Sequence, residues 1–312
     1  MIARTDVERA RDRIRGQART TPVLEVDHEL LGAGAFLKLE MLQHTGSFKA
    51  RGALNRILRA RAAGELDPEI GIIVASGGNA GLANAFAAAR VGVPATVFVP
   101  ETAPAVKVAR LRELEANVVL AGSEYAAAYD AAQQEVARTG ALYCHAYDQP
   151  DIAAGAGTLA LELLEQVPDG FDTVLVAVGG GGLMAGVAAA LEGRARVVGA
   201  EPENAPTLHA ALSAGRPVDV EVSGVAADSL GARRIGDIAF DVATRTGVHG
   251  VLVADDDIRA ARAMLWNRWR IVVEHGAATP WAALVSGGYR PAADERVVVV
   301  LSGANTNPSD LV

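Results

Sequence analysis

Residues 173–191 run for nineteen positions without a charge, and four successive glycines, Gly179, Gly180, Gly181 and Gly182, stand in their middle. Such a length approaches the roughly 20 residues that cross a bilayer as a helix. A glycine inside a helix costs about 1 kcal/mol relative to alanine, so four in a row argue against one. The segment reads as a buried strand, a glycine turn and a helix, and no membrane span is expected. Similar apolar, β-branched runs at 72–76, 95–100, 117–122, 196–201 and 296–303 alternate with Ala/Leu/Arg-rich stretches at 82–91, 105–115, 125–138, 158–166 and 256–269. Continuous apolar runs predict strands buried on both faces, and their alternation with helices predicts an α/β fold of mostly parallel, doubly wound sheets.

The chain of 312 residues is long enough for two such units, and no Pro/Gly/Ser-rich linker marks where they divide. With 50% hydrophobic and 21% charged residues, it is a folded globular protein. A net charge of −8 without a Lys/Arg cluster gives nucleic acid and anionic lipid nothing to recognise. The single cysteine, Cys144, allows no intramolecular disulfide, and the first residues are charged where a secretory leader is apolar, so the cytoplasm is expected. Gly92-Val93-Pro94 predicts a helix end, while Thr102 and Pro104 predict the cap and start of the next helix.

A glycine turn between strand and helix suits an anion, because backbone N–H groups and the helix dipole converge there. Gly180, Gly182 and Ala185 also satisfy a dinucleotide-type spacing, with Glu201 placed to meet a ribose, and a tight turn without a ligand is the third reading. The loop Ser76-Gly77-Gly78-Asn79-Ala80-Gly81 repeats the strand–turn–helix pattern, so the two turns together suggest a ligand with two anionic ends. Only three of the 29 basic residues are lysines: Lys38, Lys49 and Lys107. Arginine forms no Schiff base, so a lysine retained in such a composition is a candidate for amine chemistry. Lys38 and Lys107 read as solvated structural residues; Lys49, in HTGSFKARG, reads equally as structural or as a lysine set against a planar ring. Walker-type phosphate loops, nucleophile elbows and zinc motifs are absent from the sequence, and Cys144 reads as buried and inert.

The ordered set LE-x-LQ-x-TGSFK-x-RGA (39–53), SGGNAG (76–81), VGVPATVFVP (91–100), the Asp148-x-Pro150 to Gly157-Thr158 stretch, GGGGL (179–183), Glu201-Pro202, Ala227-Asp228, Glu274-x-Gly276-Ala277 and LSGAN (301–305) spans nearly the whole chain. In this it resembles the fold-type II pyridoxal-phosphate enzymes, in the serine/threonine dehydratase branch that includes serine racemase. The resemblance implies two doubly wound domains like the tryptophan synthase β subunit, with residues 1–50 and 146–312 forming a large cofactor domain and 51–145 a small one. It implies pyridoxal 5'-phosphate as cofactor, Lys49 as its imine-forming catalytic lysine, Phe48 against the pyridine ring and Asn79 on the ring hydroxyl. Gly179, Gly180, Gly181, Gly182 and Leu183 would wrap the phosphate, Ser302 would face the pyridine nitrogen, and Ser76, Gly77, Gly78, Asn79 and Ala80 would take the substrate carboxylate.

The implied reaction is β-elimination of water from L-threonine and/or L-serine, giving a 2-oxo acid and ammonia. The alternatives are a racemase or β-replacement enzyme of this fold and, remotely, an NAD-binding oxidoreductase built on Gly180, Gly182 and Glu201. Gly77 stands where racemases place a serine. A racemase-type cation site would use Glu201, the Ala205 carbonyl and an acid where Thr207 stands, so no metal is expected. A homodimer is expected. Since Val312 follows LSGAN closely, no C-terminal regulatory domain is expected.

Overall fold

The computed structural model describes residues 1–26 and 34–311. Its strands are β1 (Val23–Val26), β2 (Ala35–Leu39), β3 (Ile72–Ala75), β4 (Ala95–Val99), β5 (Asn117–Leu120), β6 (Leu142–Tyr143), β7 (Thr173–Ala177), β8 (Arg196–Pro202), β9 (His249–Val253) and β10 (Val297–Leu301). They form two sheets. A six-stranded sheet has the order β1-β2-β10-β7-β8-β9, parallel except for the β1–β2 pair, and a four-stranded sheet, β5-β4-β3-β6, is parallel throughout.

The period of two along a strand sends alternate side chains into different cores. In β10, Val298 and Val300 join one core of the large sheet while Val297, Val299 and Leu301 join the other. In β3, Ile72 and Val74 face one side of the small sheet and Ile73 and Ala75 the opposite side. Strands covered on both faces must be apolar throughout, which accounts for the uninterrupted runs in the sequence. One run departs from this: β5 is exposed at both ends and only half-buried between them, because it lies at the sheet edge.

The helices are α1 (Arg4–Ile14), α2 (Lys49–Ala62), α3 (Asn79–Val91), α4 (Ala105–Glu113), α5 (Tyr125–Thr139), α6 (Pro150–Gln166), α7 (Gly182–Leu191), α8 (Thr207–Ala214), α9 (Asp237–Thr246), α10 (Asp255–Trp269) and α11 (His275–Val285). None of the described helices is long and apolar enough to cross a membrane. Gly92 caps α3 in the left-handed conformation, as its sequence foretold. Thr102 does not cap α4; its hydroxyl donates to the carbonyl of Ser123, and the N-cap position falls on Pro104. Close backbone approach fixes α2 and α7 against α6: side chains at Gly52, Gly155, Gly157 or Gly186 would collide with the neighbouring helix backbone. Helices α2 and α7 begin at Lys49 and Gly182, so this packing positions the two functional termini.

Lys38 is wholly buried rather than solvated. Its ammonium donates to Glu162 (2.6 Å), to Gln166 (2.7 Å) and to the carbonyl of Thr21 (2.8 Å). Its neighbour Arg51 is equally buried and makes two-pronged contacts with Glu40 and Glu162. Two cations and two carboxylates thus neutralise one another beneath the first turn of α2, as buried charges require.

Candidate active site

Lys49 opens α2 at the rim between the two sheets. Its Nζ donates to the carbonyl of Ala146 at 2.7 Å and lies 5.1 Å from the centroid of the Phe48 ring. The side chain keeps some accessible surface, yet its nitrogen is densely surrounded. Desolvation therefore lowers the ammonium from its usual value to about 8, with the Glu274 carboxylate pulling the other way.

Next to Ala146, Tyr147 lays its ring over the glycine turn; a methyl group on Gly180 would lie inside that ring. Gly181 has φ +83°, which only glycine adopts freely, and α7 begins at the next residue. Among the described residues the amides of Gly179, Gly180 and Gly181 have no protein acceptor, and the first amides of α7 have none within the helix. The Leu183 side chain is packed in the core, so only its amide is available to the turn. Thr207 Oγ1 donates to the Gly179 carbonyl at 2.5 Å and pins the start of the turn.

On the other side of Lys49, residues 44–48 pair with the end of β10. The amide of Phe48 donates to the Ser302 carbonyl (3.0 Å), that of Ala304 to the Gly46 carbonyl (3.0 Å), and Ser47 bridges Gly303. Ser302 is buried, and its hydroxyl has no protein partner among the described residues. Ser47 Oγ and Thr45 Oγ1 are also buried without a partner. A methyl group on Gly303 would meet Glu274, Ser47 and Asn79 together.

Asn79, at the start of α3, completes the ring of residues. Its Nδ2 donates to both Glu274 oxygens at 2.9 Å, and its Oδ1 accepts from Asn305 Nδ2 at 2.6 Å. Residues Ser76, Gly77, Gly78 and Ala80 belong to the same turn, in which Ser76 Oγ accepts from the Gly78 amide at 3.3 Å. A side chain at Gly81 would overlap the Ser76 carbonyl, which keeps the turn tight. Both predicted anion turns, Lys49, Phe48, Asn79 and Ser302 are thereby linked through direct contacts. Sequence reasoning had not assigned roles to Tyr147, Glu274, Gly303 or Asn305; Glu274, Gly303 and Asn305 lay in quoted motifs, and their contacts were the missing information.

The family model for pyridoxal-phosphate dependent enzymes matches residues 14–303. The chain belongs to this family. An L-threonine ammonia-lyase of Geobacter sulfurreducens is 38% identical over 98% of the chain and 76% of its own length, and a phenylserine dehydratase of Ralstonia pickettii is 37% identical over 95% and 91%. The serine racemase structure from Dictyostelium discoideum superposes with a TM-score of 0.90 at 31% identity, covering 98% of this chain and 99% of that one. The fold is thus that of the type II pyridoxal-phosphate enzymes.

The residues fit the cofactor of this family: a turn of free amides at a helix N-terminus, a partly accessible lysine of lowered basicity, and unpartnered hydroxyls around it. The dinucleotide alternative fails on Glu201. Its side chain is buried and accepts from the amides of Leu208 (2.7 Å) and His209 (2.9 Å), so it anchors α8 and offers nothing to a ribose. Cys144 is buried, and desolvation pushes its thiol up to about 12.

Proposed function

We propose that this enzyme removes water from L-threonine and/or L-serine and releases a 2-oxo acid and ammonia. The observation that carries the reading is the placement of Lys49, a lysine of lowered basicity, between the free amides of the 179–182 turn and the helix-opening turn at 76–80. The threonine ammonia-lyase and phenylserine dehydratase names of its relatives agree with loss of a β-hydroxyl group. The catalytic unit is taken to be a cytoplasmic homodimer, each chain divided into a large domain (1–50 and 146–312) and a small one (51–145).

Lys49 would hold the cofactor through its amine, with Phe48, Asn79, Ser302 and 179–183 around it; once bound, the cofactor would supply an electron sink for charge developing at the substrate Cα. The turn at 76–80 binds the substrate carboxylate through backbone amides at the start of α3. This anchors Cα within reach of the Lys49 amine. That amine, once freed, accepts the Cα proton, and a value near 8 makes an appreciable fraction neutral at physiological pH. Ser302 presents a neutral hydroxyl instead of a carboxylate, so it lends no fixed negative charge. The β-hydroxyl departs as water, in sum with the proton that Lys49 took from Cα, and the enamine product hydrolyses after release to the 2-oxo acid and ammonia.

Racemisation needs a proton donor on the opposite face of Cα. Gly77 has no side chain, so the 76–80 turn offers no hydroxyl at that position, and Ser76 Oγ is held against the Gly78 amide one residue beyond it. Replacing Lys49 with alanine tests the reading. Loss of 2-oxo acid production with an unchanged circular dichroism spectrum supports it, and persistent production refutes it.

A further inference from the structure

Glu274 is a buried carboxylate for which the reaction above has no use. It stands at the N-cap of α11, where its amide donates to the Gly303 carbonyl at 3.0 Å, and its side chain is 6% exposed. Both of its oxygens accept from the single Nδ2 of Asn79 at 2.9 Å. Two oxygens of one carboxylate subtend a far smaller angle than the two hydrogens of an amide, so they share one hydrogen and leave the second free. Asn305 Nδ2 fixes the other end of the same amide, and Asn305 Oδ1 in turn accepts from Arg110 at 2.8 Å. The Asn79 side chain therefore has one orientation. The charged groups acting on Glu274 are Asp228 from the 227–231 loop and Lys107 from α4, and Glu274 in turn is the carboxylate whose charge opposes the desolvation of Lys49.

We propose that Glu274 is a positioning residue that aims the free amide hydrogen of Asn79 at the cofactor and supplies a fixed negative charge for the Lys49 amine. The inference rests on the proposed function only for the identity of the cofactor. Burial pushes the Glu274 carboxyl above its ordinary value, and the hydrogen bond from Asn79 favours its charged form against that.

The test uses the full chain freed of cofactor, wild type against E274Q, with two readouts that do not involve turnover. The first is reductive methylation by formaldehyde and dimethylamine–borane across pH. Only three lysines are present, so mass spectrometry assigns the midpoint of Lys49 without overlap from other sites. The second is the equilibrium dissociation constant for pyridoxal phosphate. Loss of the negative charge lowers the Lys49 midpoint by about half a pH unit or more. Loss of Asn79 orientation weakens pyridoxal phosphate binding about tenfold.

In folded E274Q, either readout remaining at its wild-type value overturns the proposal. Should E274Q fail to fold, N79A separates the two effects: weaker binding with an unchanged Lys49 midpoint supports the proposal, and unchanged binding or a shifted midpoint overturns it. If wild type binds no pyridoxal phosphate, the proposed function fails, whereas the Lys49 midpoint still reports on Glu274.

Discussion

Arg51→Met removes one charge from a buried quartet and leaves the side-chain volume nearly intact. Arg51 is 1% exposed and places hydrogen bonds of 2.8 and 2.8 Å on Glu40 and of 2.6 and 2.9 Å on Glu162. Without it, Lys38 alone must compensate two carboxylates, one of them wholly buried. Breaking such an arrangement from one side costs about 3–5 kcal/mol, a large share of a stability that is typically about 5–15 kcal/mol.

The pH dependence has a definite sign. Although burial is the largest influence on Glu40 and acts to raise it, the Arg51 guanidinium prevails and holds it below its ordinary value. In wild type this contributes stability that is present above the unfolded value and is lost as pH falls. With Arg51 gone, desolvation prevails and Glu40 rises above its unfolded value. The penalty is then largest at pH 8 and shrinks as protonation neutralises the carboxyl at lower pH. Urea denaturation at pH 8 and pH 5.5 measures the difference, and E40Q added to R51M should recover part of it. A loss below about 1 kcal/mol at pH 8, or one that grows at pH 5.5, would refute the account of this quartet.

Three further outcomes follow from the site. K49A should lose ~10³-fold or more in kcat, because both the proton acceptor and the cofactor's attachment disappear; stopped assays of 2-oxo acid measure this. The kcat of wild type should rise about tenfold per pH unit on the acid side and level off near pH 8, since only the neutral Lys49 amine accepts a proton; a flat profile from pH 6 to 9 would contradict it. G180A forces the Tyr147 ring off the glycine turn, so pyridoxal phosphate affinity, followed by equilibrium dialysis, should fall about tenfold.

The central strands and the anion turns were legible because each depends on local pattern. Buried β3 and β10 are apolar throughout, β4 and β7 carry one threonine each, and β8 adds only Arg196 and Glu201 to its apolar residues, while a strand–glycine–helix turn shows in a few residues. The strands passed over have weaker patterns for physical reasons: β1, β6 and β9 lie at sheet edges, while β2 carries Lys38 inside the sheet. That lysine read as solvated because its compensation by Glu162 comes from 124 residues away. Likewise, the Asn79 contacts with Glu274 and Asn305 span 195 and 226 residues, so only the folded chain reveals the orientation of that amide.

The central claim is tested most directly by the visible absorption spectrum of the purified protein, recorded before and after L-threonine and L-serine, with 2-oxo acid assayed in the same cuvettes. The account predicts a yellow protein whose band shifts on substrate addition while 2-oxo acid and ammonia accumulate in equal amounts. A band that shifts without 2-oxo acid would contradict elimination, and a protein that stays colourless in excess pyridoxal phosphate would contradict the role given to Lys49.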